Sequence, residues 1–141
     1  NKYYILNIIS LKMAIYIRLN YIKEVFFMEI MKHLLNGSIE QYNDGVVPKI
    51  PVFAGEDITS EVYYFKPGQV LKAHRHPNGE QVFFFLKGNG KMSVEEETFD
   101  VNEGSTIFVK AGKWHEITNG SSEMVAVQVT KVGAGAEYKE N

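Results

Sequence analysis

The chain has 141 residues, 45% hydrophobic and 23% charged, with a formal net charge of −2, the make-up of one ordinary globular domain that can bury its own core. It has no cysteine, which excludes a disulfide scaffold, a thiol nucleophile and a Cys-type zinc finger and fits a reducing, cytoplasmic setting. The small net charge leaves no electrostatic footprint for nucleic acid, and apolar runs of about five residues, such as Val82–Leu86, fall short of the roughly 20 a membrane span needs.

Residues 1–27 differ in composition from the rest of the chain. They contain no Gly and no Pro, and hold four of the fifteen Lys and Arg but one acid, Glu24, so the head is basic and the body acidic. Three readings compete. A targeting sequence is interrupted by Asn7, Lys12, Arg18 and Asn20 and lacks a small-residue cleavage site. An amphipathic interfacial helix would use the cations. Alternatively, Lys23 to Met28 back-translates to a ribosome-binding sequence ahead of a start codon, so that translation begins at Met28 or Met31 and residues 1–27 are upstream read-through. Residues 28–45 then form a short lead-in, in which Met28–Leu35 has room for one or two helical turns before Asn36 and Gly37. His33, in this lead-in, has no partner and reads as structural or exposed.

From Val46 the pattern becomes short β-prone runs bounded by turn residues. The runs are Glu61–Phe65, Val70–His76, Gln81–Lys87, Lys91–Glu95, Thr98–Val101, Thr106–Val109, His115–Thr118 and Met124–Thr130. The intervening Pro-Gly and Asn-Gly steps include the hairpin signal Asn89-Gly90. No helical run separates the strands, which predicts an all-β sandwich or antiparallel barrel. Glu95, Glu96 and Glu97 read as a solvated hairpin turn, and residues 132–141 as a polar, frayed tail.

Three of the four histidines lie in this region: His74, His76 and His115. In a strand, residues two apart project from one face, which puts His74, His76 and Lys72 together and turns Arg75 away. Paired imidazoles fill a barrel interior poorly unless they share a metal. The next run offers a third ligand at Glu80 or Gln81, which face opposite ways. Phe83 and Phe85 share the face of Gln81, and Val82, Phe84 and Leu86 that of Glu80. Both faces are apolar, so the pattern alone leaves the choice open.

These residues resemble two motifs of the cupin family. Gly68-x5-His74-x-His76, followed by Glu80, Gln81 and Gly88, is similar to the family's first motif, G-x5-H-x-H-x3,4-E-x6-G. Gly104-x5-Lys110-x-Gly112-x2-His115-x3-Asn119 is similar to the second, G-x5-P-x-G-x2-H-x3-N. The resemblance covers residues 46–131 and departs at two places. Lys110 replaces the usual proline, and the spacing to Gly88 lands the acid position on Gln81 rather than Glu80. Some single-domain cupins carry glutamine there.

The resemblance implies a jelly-roll barrel of about six to eight strands. It implies one divalent transition metal (Zn, Fe, Ni, Mn, Co or Cu) held by His74, His76, Gln81 and His115, with Glu80 as the alternative to Gln81. Phe83 and Phe85 are strand core first and, if Gln81 faces in, would line the pocket for a small-molecule ligand or substrate, and Trp114 would anchor packing beside it. Tyr63, Tyr64, Glu61 and Glu80 are candidate bases, because an amide ligand cannot take a proton. The outward Val82, Phe84 and Leu86 face suits the homodimers common in the family. Activity of the sugar or uronate isomerase type, or of the dioxygenase type, is expected. The alternatives are a non-catalytic small-ligand or metal-binding module and a metal-stabilised interaction barrel.

Overall fold

The computed structural model describes residues 15–20 and 41–140. Residues 15–20 are helical; His33, the expected turns at Met28–Leu35 and the proposed start sites lie outside the described residues. Among the described residues no helix is long and apolar enough to cross a membrane. All strands among the described residues belong to the unit running from Glu40 to Asn141.

The described residues form ten strands in chain order: β1 (Lys49–Ala54), β2 (Ile58–Phe65), β3 (Val70–Arg75), β4 (Gln81–Lys87), β5 (Asn89–Val94), β6 (Glu97–Asn102), β7 (Thr106–Val109), β8 (His115–Asn119), β9 (Met124–Lys131) and β10 (Glu137–Tyr138). They form two antiparallel five-stranded sheets, ordered β1-β2-β9-β4-β7 and β10-β3-β8-β5-β6, the jelly-roll arrangement in which two sheets share one interior. Every run read from the sequence is a strand. Two further strands extend the sheets. β1 carries a proline at Pro51 beside a register shift and lies on an edge, where a missing N–H is tolerated. β10 lies in the expected tail: Glu137 and Tyr138 pair with Arg75 and His74 of β3. A two-residue strand has no periodicity to read, so its partner alone makes it one.

Inward parity builds the core. Tyr63 and Phe65 of β2, Phe83 and Phe85 of β4, and Met124 and Ala126 of β9 meet Met92 and Ile117 of the facing sheet, all essentially without exposure. Each such large side chain removed from water contributes about 1.5–3 kcal/mol. The polar residues buried on this same interior are few, and they include His74, Gln81, His115 and Gln128.

Gly88 joins β4 to β5 with φ +82°, and a Cβ there would lie 2.2 Å from the Glu123 carbonyl oxygen. Both the left-handed backbone and the close approach demand glycine. Asn119, which ends the second motif, is a clamp: its Nδ2 donates to the carbonyls of Lys66 (2.8 Å) and Ser122 (2.7 Å).

Candidate metal centre

The β3–β8 register sets His74 directly opposite His115, so the two rings lie 4.2 Å apart between centroids. His76 follows the end of β3 with its ring 5.3 Å from His74 and 5.8 Å from His115. One ring nitrogen from each lies within 4.8 Å of the others, and among the described residues no carboxylate joins this group. His74 is 3% exposed, His115 2% and His76 9%.

Local backbone chemistry prepares the cluster. A register shift lies between Leu71 and His74; Leu71 packs on the core although it sits an odd number of residues from His74. The bulge therefore overturns the expected placement of Lys72 beside the histidines, and Lys72 is exposed. Gly112 N–H donates to the His76 carbonyl (2.9 Å), and Gly112 adopts φ +77° to do so. On the outer face, the Arg75 guanidinium lies 4.7 Å from the Trp114 ring centroid and pairs with Glu137 at 2.6 Å. This clips together the segments that carry all three histidines. Trp114 is thus an anchor, as expected, but from outside. The glutamate turn is not merely solvated: Glu95 accepts from the Trp114 N–H (3.1 Å) and its own N–H donates to the Trp114 carbonyl (2.9 Å), beside His115.

Each histidine has its Nδ1 on a backbone carbonyl: His74 on Lys72 (2.9 Å), His115 on Lys113 (3.0 Å), and His76 on Gly135. A carbonyl only accepts, so Nδ1 carries the proton and Nε2 keeps its lone pair, the tautomer a metal requires. The Nε2 atoms of His76 and His115 are buried with no hydrogen-bond partner in the protein. Burial, reinforced by the neighbouring His74, pushes His115 down to about 4, and burial also lowers His74 and His76. The imidazoles are therefore neutral near pH 7, which metal ligation also needs.

Gln81 starts β4 facing inward and is 1% exposed, while Glu80 is exposed just before the strand. The Gln81 Nε2 donates to Gln128 Oε1 (2.8 Å), and its Oε1 is buried without a protein partner. Four donor positions of neutral character, three of them orphaned, fit a divalent transition ion. Phe83 meets His115 edge-on at 5.7 Å, and Phe85 lies beside it in the core. Of the candidate bases, Tyr63 is buried on the inner face and Glu61 shares that parity, while Tyr64 turns to the opposite face against Tyr42. Burial, and then the charge of Glu61, holds the Tyr63 phenol proton well above its ordinary range.

Three contributors escape motif reading. Gly135 supplies the His76 acceptor, and Tyr138 stacks on His74 at 5.7 Å; both come from the segment whose composition reads as a polar tail. Gln128 leaves a trace in sequence, a polar side chain at the parity of Met124 and Ala126 in an otherwise apolar run.

A family model described as "Cupin domain" matches residues 61–130. An uncharacterized protein of Methanocaldococcus jannaschii, MJ1618, is 35% identical over 52 residues, 37% of this chain; the match spans 42% of that relative's length. The crystal structure of TT1209 from Thermus thermophilus is similar at 31% identity and TM-score 0.64, over 67% of this chain and 91% of that one. An RmlC-like cupin protein from Desulfovibrio desulfuricans aligns at 19% identity and TM-score 0.60, over 64% and 87%, a likeness of fold alone.

Proposed function

The chain belongs to the cupin family, and on that premise we propose that it binds one divalent transition metal through His74, His76, His115 and Gln81 and acts on a small molecule. One observation carries this reading: the Nε2 atoms of His76 and His115 and the Oε1 of Gln81 are all buried and unpartnered, and each is a lone-pair donor that a metal ion would satisfy. A bound ion would supply Lewis acidity, or dioxygen chemistry if it is redox-active.

Three imidazoles and an amide are neutral, so they leave the ion its full positive charge. None of them can serve as a base. Tyr63, whose proton burial holds in place, does not serve as a base; Glu61, two residues earlier on β2 and of the same parity, is the inner-face carboxylate able to move one. Glu80 is exposed and Tyr64 faces away, so neither serves. Lewis-acid work on a carbonyl compound, as in sugar or uronate isomerisation, suits this arrangement best. Elemental analysis of the purified protein tests it: zinc or manganese near one per chain supports isomerisation assays, whereas iron or nickel with dioxygen uptake would replace this reading with a dioxygenase. A second reading rests on the near-complete burial of the donors and the Tyr138 ring over His74. It is a non-catalytic module that holds metal or a small ligand, and it gains if no metal supports turnover.

Gln81→Ala should lower metal content, with affinity reduced about tenfold or more, whereas Glu80→Ala should leave it unchanged. Loss of metal from Glu80→Ala alone would reverse the assignment.

The outer face exposes Phe84 (40%), Leu86 (49%) and Phe108 (51%) on adjacent strands β4 and β7. We place a second copy of the chain there. Sedimentation should give a dimer that Phe84→Lys dissociates; a monomer for the unaltered protein would overturn this.

A further inference from the structure

We infer that Gln128 is a positioning residue that locks the Gln81 amide with its oxygen toward the three histidines. This rests on the reading of Gln81 as a metal ligand. The sheet register builds the arrangement. Gln128 of β9 lies opposite Phe83 of β4 and opposite Glu61 of β2, while Gln81 lies opposite Thr130. Gln128 is therefore the diagonal neighbour of Gln81 on the inward face, within reach of a long side chain.

The hydrogen bonds run in one direction. Lys49 Nζ lies 2.9 Å from Glu61 Oε2. Gln128 Nε2 donates to that same carboxylate oxygen at 2.6 Å. Its Oε1 then accepts from Gln81 Nε2 at 2.8 Å, and Gln81 Oε1 is left buried and unpartnered. The polarity is not a free choice. A carboxylate paired with an ammonium accepts only, and an amide nitrogen donates only. Turning Gln128 over would press its carbonyl against the Glu61 carboxylate and its NH2 against that of Gln81. With Gln128 fixed, Gln81 must give its nitrogen to Gln128, which leaves its oxygen as the free lone-pair donor. The opposite flip would aim N–H donors, which cannot ligate, at the metal. Gln81 and Gln128 are each 1% exposed, so water does not compete for these bonds and a half-satisfied network would be costly.

The ion pair of Lys49 and Glu61 thus sets the orientation of a ligand two side chains away. Its role is geometric, and distinct from any proton transfer by Glu61.

Cobalt(II) added to the metal-free full-length protein is the probe, read by affinity and by its d–d absorption. Gln128→Leu should weaken cobalt binding about tenfold or more and move the absorption to that of Gln81→Ala. The exchanged pair Gln128→Glu with Glu61→Gln should restore the wild-type absorption. Its carboxylate at 128 accepts from Gln81, and its amide at 61 can donate to that carboxylate. If Gln81→Ala itself matches wild type, the ligand reading fails. If Gln81→Ala differs but Gln128→Leu matches wild type in both readouts, Gln81 remains a ligand and the positioning role is overturned. Should Gln128→Leu not fold, the exchanged pair decides: a wild-type absorption supports the role, and one like Gln81→Ala overturns it.

Discussion

Replacing His74 and His76 together by alanine is expected to yield a folded chain that holds no metal and whose unfolding is insensitive to chelator. The wild-type protein should respond strongly. A ligand that binds the native state alone stabilises it by about 4 kcal/mol when free ligand is 1,000 times Kd. For a domain near 100 residues, 1 kcal/mol shifts Tm by roughly 4–8 °C, so chelation should lower the wild-type Tm by about 15 °C or more. The variant should fold because the two imidazoles are a cost rather than a source of stability in the metal-free state. They bury polar rings, and the Nε2 of His76 meets no partner; an unsatisfied buried group costs about 1–3 kcal/mol. Calorimetry with and without chelator, beside elemental analysis, reads both arms. Metal at the wild-type level in the double variant would place the ion elsewhere.

The metal-free protein should lose stability as pH falls from about 6.5 toward 4. The fold keeps His115 neutral down to about 4, and lowers His74 and His76 in the same direction, with burial as the main cause in each. Unfolded chains take up these protons near the ordinary histidine value of about 6.5. Below that pH the unfolded state binds more protons than the native state, so protons favour unfolding. The stabilisation is complete above 6.5 and is lost as pH drops to the native value. His115 alone accounts for roughly 3 kcal/mol across this window. Urea unfolding of chelated protein at pH 7.5 and pH 5 measures it. Most of the drop should vanish in the variant that lacks His74 and His76 once His115 is also replaced. An unchanged midpoint for wild type would show that the native rings accept protons as freely as the unfolded ones.

How far the sequence could be read depended on which signal each residue left. Strands β2 to β9 announce themselves by β-branched and aromatic runs between turn residues, because a pleated, half-buried segment needs those side chains. The resemblance to the two glycine-and-histidine motifs marked His74, His76 and His115, and counting to Gly88 within it favoured Gln81 over Glu80 as the ligand. Alternation alone left open which of the two faces inward; the fold buries Gln81 and exposes Glu80. Strict alternation misplaced Lys72, since a bulge between Leu71 and His74 leaves no mark in residue type. It also could not see β10, whose Glu137 and Tyr138 become a strand only by pairing with β3.

Local patterning therefore carried the all-β class and the positions of the turns, whereas the proposal of His74, His76 and His115 as donors came from the resemblance to the two cupin motifs. Tertiary structure decided which of these side-chain lone pairs are buried without a protein partner. The carbonyls of Lys72, Lys113 and Gly135 select the histidine tautomers, and the bonds from Lys49 through Glu61 and Gln128 orient the Gln81 amide. These partners come together from distant parts of the chain across sheet register and bulges. Tautomer and amide orientation depend on which donor meets which acceptor in space, and spacing along a single strand does not encode that.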